Sequence, residues 1–475
     1  MTQMSQPMSP SAEVGAVRAR RSASTRIGVA VAAAIGLAPL MASAVPVIPG
    51  ALGYGTATPA GRGGTVYRVT NLNASGAGSL KACTDAAGPR VCVFEVSGTI
   101  RLPTDLAIHN PRITIAGQTA PSPGIMLRGG AISINASDVL VQHIHVRAGD
   151  DPAGFDPVNR DALKIEQAKD KPIISNIVVD HCSFSWAIDE VASAWAGWNN
   201  ITLTNNIFAE PLNDSIHPKG PHGFGVIFGP VTGNLTMANN LLMHAVSRNP
   251  LTNVTNAVFV NNVIYNWKNM AIDLQSRGEP TKNSVVGNVF IRGADSTTQA
   301  PVSLRADDTA LPAGSKVFLS DNKSTEATSD PWSVARTLGG TLPLTSIKSE
   351  LPVGWPSGMT TLPTDADVVL KSVLKNVGAR PADRDSTDQR LVSQVQNRTG
   401  RIINCVAADG SARCSLNAGG WPQMAENHRA LTLPADPNGM TASGYTKLEV
   451  WLQDMAAQVE GRSSRLPEAP VLSNR

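Results

Sequence analysis

The sequence predicts an all-β protein, a parallel β-helix with a C-terminal loop and helix extension. Two features carry that expectation. Short apolar strand patterns recur along the middle of the chain, and an asparagine holds the same place in several of them. The composition agrees: 475 residues contain 41 Gly and 33 Pro but only 4% aromatics, which favours many strands and turns over a helical bundle.

The elements follow in chain order. Thr65–Val69, Val91–Ile100 and Arg112–Ile115 read as early strands separated by Gly, Pro and Asn turns. Ile201–Glu210, Leu235–His244, Ala257–Asn266 and Asn283–Arg292 share one design: a β-branched strand pattern, an Asn, then another apolar pair. Aligning them puts Asn206, Asn240, Asn262 and Asn288 in one column, and the earlier runs Val139–Val146 and Ile177–Phe184 put Ile144 and Cys182 there. The column positions are 38, 24, 34, 22 and 26 residues apart, a period of stacked coils with insertions. One Asn-Asn pair is an ordinary turn; four aligned copies suit amides that donate to one coil and accept from the next. Leucine-rich repeats would show fixed leucines and a helical half, and neither is present. The repeat fades near residue 315, and helical patterns follow at Thr364–Asn376, Arg384–Asn397 and Tyr445–Val459. This divides the chain into a leader (1–44), a β-helix (45–315) and an extension packed along it (316–475).

Charge excludes some functions. The formal net charge is +3, but Arg18, Arg20, Arg21 and Arg26 against Glu13 account for all of it, and the remainder balances at 36 basic against 36 acidic residues. Bulk attraction to nucleic acid is not supported. The leader arginines precede an apolar run from Ile27 to Leu40 and the small residues Ala42-Ser43-Ala44, the pattern of an export signal. The run is too short for a bilayer, which needs about 20 residues. Export to the periplasm or the outside makes disulfides expected, Cys83 with Cys92 and Cys405 with Cys414, leaving Cys182 as a buried free thiol. The cysteine spacings suit no zinc site.

The longest gaps between units, 144 to 182 and 206 to 240, hold or adjoin the polar clusters. Asp150, Asp151, Asp156, Asn159, Asp161 and Glu166 fall in the first; Asn213, Asp214, His217, Lys219 and His222 fall in the second. Asp180, Asp189 and Glu190 lie between them, and Ser247-Arg248-Asn249-Pro250 follows a strand unit. Carboxylates from successive coils would stand ~4.8 Å apart and repel unless a cation sits between them. Calcium, which takes oxygen ligands in flexible geometry, suits such a place; solvated loop carboxylates are the plain alternative.

The ordered segments RDAL (160–163), IVVDHCSFSW (177–186), Asp189-Glu190, KGPHGFG (219–225) and SRNP (247–250) resemble the pectate lyase family, polysaccharide lyases built on a right-handed parallel β-helix. VGARPADRD (377–385) and GYTKLEVW (444–451) resemble it too. The resemblance implies calcium-dependent β-elimination on pectate, an acidic polysaccharide, by a secreted monomer with no nucleic-acid or membrane partner. It implies Asp161 and Asp189 as calcium ligands, with Asn159 and Ser193 where further family ligands fall. Neither is charged here, so calcium would bind weakly until substrate carboxylates complete the site. Arg248, two residues before Pro250, takes the catalytic place, and Lys219 with His222 the uronate-binding one. Asp180-His181 match a family pair expected to brace the coil. A second family arginine falls at Asn253, a departure. Two other readings remain. A uronan hydrolase would use Asp161, Asp189 and Glu190, and a non-catalytic carbohydrate-binding protein would account for Ser193 and Asn253.

Overall fold

A computed structural model of the protein describes residues 45–359 and 362–463. The expected leader at 1–44 lies outside the described residues. The chain winds as a right-handed parallel β-helix whose coils pair in three ladders. One eight-stranded sheet forms a separate face. The other two ladders join into a 17-stranded sheet, because Phe224–Ala238 and Leu251–Val260 bend through both.

Register explains the core. Ile115, Val141, Val179, Leu203, Met237, Phe259, Val285 and Leu319 are Cα partners on eight successive coils, and all are buried. A second column on the eight-stranded face runs Phe184, Phe208, Leu242, Ile264, Phe290, with the first two rings stacked at 5.3 Å. Each strand alternates between this interior and the outside, so β-branched and aliphatic residues fill a continuous core.

The asparagine column is a hydrogen-bonded ladder. Asn206, Asn240 and Asn262 each donate a backbone N–H and a side-chain amide to the Oδ1 of the next asparagine. The same amides reach the carbonyls of Val179, Leu203 and Met237 on the preceding coil. The Cys182 N–H donates to Asn206 Oδ1 at the head of the ladder. At its foot the ladder gains Asn322, which accepts from Asn288. The coil stack therefore runs past residue 315, through the strands Lys316–Ser320 and Ala335–Leu338. Lys323-Ser324 in place of the apolar pair after Asn322, and the short strand Ala335–Leu338 without an alternating apolar run, hid these last coils in the sequence.

Past the coils, the helices Ala366–Asn376 and Ser386–Asn397 start at Asp365 and Asp385, whose side chains accept from the first-turn N–H groups. Val369, Val373, Leu391 and Val395 of these helices cover Ile207, Leu241, Val263 and Tyr265 outside the eight-stranded sheet. The helix Lys447–Glu460, opened by a Thr446–Glu449 capping box, sets Leu448 and Leu452 against Val91 and Val93. Buried ion pairs fix the second helix: Arg390 to Glu210 at 2.6 Å, and Arg147 to Asp385 and Asp388 at 2.7 and 2.9 Å. Disulfides join Cys83 to Cys92 and Cys405 to Cys414, and Cys182 is a buried free thiol. Among the described residues no helix is long and apolar enough to cross a membrane.

Asn262→Ala removes the acceptor used by Asn240 and the donors to Met237 and Asn288. It is expected to cost at least ~2 kcal/mol in chemical denaturation, since orphaned buried groups cost ~1–3 kcal/mol each. Burial alone would push the Glu210 carboxyl up, but Arg390 outweighs it and the carboxyl titrates below its ordinary value. This stabilisation is present above the ordinary glutamate range, pH ~4.3, and is lost as pH falls through the depressed folded value. Arg390→Met should therefore cost ~3–5 kcal/mol near neutrality. The gap to wild type should narrow in acid, as measured by denaturation across pH.

Candidate functional site

Successive coils bring the polar clusters of the sequence into one cleft of about 740 Å³. Asp161 stands just before the strand Leu163–Ile165, which carries Lys164. The next coil supplies Glu190 and Ser193 from the strand Glu190–Ala194, with Asp189 just ahead of it. Lys164 and Ser193 are direct cross-strand partners, and Ser193 pairs onward with Ile227. The following insertion supplies Lys219 and His222, and Arg248 arrives from the coil after that.

Arg248 is held by its backbone. Its φ of 63° lies in the left-handed region, costly for a side chain with a Cβ. Neighbouring coils enforce it. Val226 N–H donates to the Arg248 carbonyl, and Gly225 N–H donates to that of Ser247. Gly225 is required there because a Cβ would lie 2.4 Å from the Arg248 oxygen. The guanidinium contacts the Glu190 carboxylate and sits over the Phe224 ring at 4.0 Å. Burial lowers its proton affinity; Asp189, Asp273 and Asp161 pull it back up, and the net value lies below that of an ordinary arginine.

The acidic side of the cleft converges. Asp161, Asp189 and Glu190 each present an oxygen within 4.8 Å of the others. Asp161 is buried; its Oδ2 accepts from the Ser193 hydroxyl, and its Oδ1 has no hydrogen-bond partner. Burial raises the Asp161 carboxyl well above the usual range; Lys164 and the Ser193 hydroxyl oppose this, and Asp189 adds to it. Asp189 accepts from or pairs with His222 Nε2 at 2.7 Å, and His222 stacks on His217 at 3.9 Å. The cleft walls carry the carboxylates Asp156, Asp161, Glu166, Asp189 and Glu190 against the cations Lys164, Lys219 and Arg248. An anionic substrate could not enter that surplus of negative charge without an added cation. Oxygen donors with one buried, unpartnered lone-pair atom fit a hard divalent ion such as calcium.

All seven residues singled out for catalysis, substrate and metal line this cleft: Asn159, Asp161, Asp189, Ser193, Lys219, His222 and Arg248. Asn159 donates to Asp156 at 2.9 Å, and Ser193 spends its hydroxyl on Asp161. Asp180 and His181 lie elsewhere. They border a cavity of about 290 Å³ that shares no residue with the cleft, and they cluster with His143 and Glu460. Sequence reasoning passed over Lys164 and the exposed Trp195 on the cleft wall, and did not place Glu190 among the ligands. Nothing in the sequence separates Trp195 from the buried tryptophans Trp186, Trp198 and Trp267.

A groove of carboxylates and cations across several turns of a coil stack gives an extended surface for a charged chain. No family model matches the chain. It is 33% identical over 428 residues to the probable pectate lyase C of Aspergillus oryzae, covering 87% of this chain and 94% of that protein. Against the probable pectate lyase C of Aspergillus fumigatus it is 32% identical over 432 residues, covering 87% and 94%. Among solved structures, jun a 1, the major allergen from cedar pollen, matches with a TM-score of 0.49 and 17% identity, over 68% of this chain and 91% of that one. A pectate lyase bound to a hexasaccharide matches with a TM-score of 0.44 and 14% identity, over 71% and 99%. The chain belongs to the pectate lyase family and is a polysaccharide lyase.

Gly225→Ala should displace the Arg248 backbone while leaving the coil core intact. Lyase turnover is expected to fall by up to ~100-fold, the scale of an ångström-sized misplacement. The unfolding midpoint should fall as well, so turnover is compared at a temperature where circular dichroism shows the coil fold intact.

Proposed function

We propose that this protein is a secreted, calcium-dependent pectate lyase that cleaves polygalacturonate by β-elimination to unsaturated oligogalacturonates. The observation that carries the reading is the convergence of Asp161, Asp189 and Glu190 beside Arg248 and Lys219 in one cleft. The leader pattern in the sequence and the two disulfides support export.

The uronate C5–H is α to a carboxylate and therefore weakly acidic. Asp161 and Asp189, with Glu190, would hold the calcium, which neutralises that carboxylate and the charge developing at C5 when bound. Lys219, exposed at the cleft edge, pairs with a uronate and fixes the chain direction. Arg248 faces C5. Its partly buried guanidinium, with proton affinity below the ordinary value, removes the C5 proton or stabilises the charge there. The C5–H electron pair becomes the C4–C5 double bond, the C4–O bond breaks, and the leaving oxygen takes up a proton. No water is consumed. His222 orients Asp189 through their 2.7 Å contact, and Ser193 orients Asp161 through its hydroxyl.

Polygalacturonate should yield an ultraviolet-absorbing unsaturated product with calcium present, and none in excess chelator. Arg248→Lys keeps the charge and loses the planar fork, and its rate should fall at least ~100-fold. Chelator-resistant cleavage would remove the metal from the reading, and near-normal turnover of Arg248→Lys would move the catalytic role to another residue.

A further inference from the structure

Lys219 and His222 do not sit on a ladder strand. They come from the insertion 211–223, between the strands Ile207–Ala209 and Phe224–Ala238. The insertion closes on itself where the His222 N–H donates to the Asn213 carbonyl at 2.7 Å. Inside that loop the His217 ring holds both residues. Its Nδ1 accepts the Lys219 N–H at 3.1 Å, and it stacks on His222 at 3.9 Å. A loop without ladder bonds opens at low free energy unless something outside pins its base.

The segment 401–421 of the C-terminal extension is docked on that base. It is tied to the coil stack at two places. Arg401 Nε and the Ile402 N–H each donate to Asp295 at 2.8 Å, and the Val406 N–H donates to Asp150 at 3.1 Å. From these anchors it reaches the insertion. The Asn213 N–H donates to the Ile403 carbonyl at 2.8 Å, and the Asp214 N–H donates to Asn404 Oδ1 at 3.0 Å. Ile403, Val406 and Ala418 share one buried cluster with Leu212 of the insertion and with Trp186 and Ile188. The Asn404 side chain links two ways: its Oδ1 takes the insertion, and its Nδ2 donates to the Arg413 carbonyl at 3.0 Å. Arg413 adjoins Cys414, and Asn404 adjoins Cys405, so the disulfide between these cysteines holds the two ends of that link together. No residue of 401–421 lines the cleft.

We infer that the disulfide-closed segment 401–421 is a strut for the insertion, with Asn404 the positioning residue that sets where Lys219 and His222 stand. The inference rests on the proposed role of Lys219 in gripping a uronate and deepens it. Asn404 touches no substrate. Its loss lets the base of the insertion shift, while Arg248 and Asp161 stay where the coils hold them. The effect therefore falls on substrate binding more than on the chemical step.

Two measurements on the full chain test it: hydrogen–deuterium exchange of the peptide 211–223, and steady-state kinetics on polygalacturonate at saturating calcium. The proteins are wild type, Asn404→Ala, Asn404→Asp and the double variant Cys405→Ser/Cys414→Ser. Amides at 213–222 should exchange about fivefold faster in Asn404→Ala and in the serine pair, the scale of one lost hydrogen bond, with the coil amides unchanged. KM should rise about tenfold while kcat stays within about threefold. Asn404→Asp keeps the acceptor for Asp214 and should recover part of both changes. Asn404→Ala leaves the disulfide in place, so it carries the test where the serine pair does not fold. Exchange in 211–223 that ignores Asn404→Ala overturns the strut whatever the kinetics. Faster exchange with unchanged KM overturns the positioning role and leaves the lyase reading standing. If wild type forms no unsaturated product, the lyase reading falls by itself, and calorimetric binding of tetragalacturonate replaces the kinetics. Binding about tenfold weaker in Asn404→Ala, with faster exchange, then upholds the strut, and binding that does not weaken overturns it.

Discussion

Neighbouring coils stack at the spacing of paired strands, ~4.8 Å, and the rest of the molecule depends on keeping that stack in register. One coil cannot bury its own apolar face. Its interior residues are covered only by the coils above and below, as in the column from Ile115 to Leu319. A slip of one residue would turn that column outward. The asparagine ladder resists such a slip, because each amide bonds to both neighbouring coils and to its like on the next turn. It satisfies backbone groups at a buried bend, where an aliphatic side chain would leave them orphaned.

The cleft inherits its precision from this register. Asp161, Glu190 and Ser193 sit on or beside paired strands of consecutive coils, so their separations are fixed by backbone hydrogen bonds. Lys219 and His222 come from an insertion and are less constrained, but His222 is tied back to Asp189. Arg248 combines both modes: it lies outside a strand, yet its carbonyl is bonded to the adjacent coil. The helices Ala366–Asn376 and Ser386–Asn397 bury their apolar stripes on the eight-stranded face, and Lys447–Glu460 buries its own against Val91 and Val93. Surface that would invite pairing or aggregation is covered without crowding the groove.

Much of this was legible in the sequence, for identifiable reasons. Asn206, Asn240, Asn262 and Asn288 announced the coils because a ladder needs the same side chain at the same place. The step to Asn322 was missed because its strand, KVFLS, keeps the apolar alternation but the apolar pair that follows the Asn in the other units is replaced by Lys323-Ser324. Asp161, Asp189 and Arg248 were recognisable from ordered motifs, and the cleft brings them together. Lys164 was not, because a lysine inside a strand pattern reads as an outward solvent-facing residue. Here it is buried against Asp105 at 3.0 Å, on the cleft wall. Glu190 was passed over because the family resemblance puts a ligand only at its neighbour Asp189, whereas the structure brings both carboxylates into the cleft.

The charges of the cleft form a coupled set. Burial makes an ionised Asp161 costly, and Asp189 close by makes it costlier. Lys164 offsets part of this but is shared with Asp105. Arg248 is engaged with Glu190 and cannot also neutralise Asp161 at close range. Burial and Asp189 thus hold the Asp161 carboxyl above the usual range, and positive charge from outside would favour its ionised form. On the proposed function, a divalent ion arriving together with a carboxylated sugar would supply it. The absence of a fourth carboxylate at Ser193 then has a consequence. On the proposed function, the protein alone would present an incomplete ligand set that the substrate's carboxylate finishes. Metal and polysaccharide would each raise the affinity for the other, by the same factor in both directions.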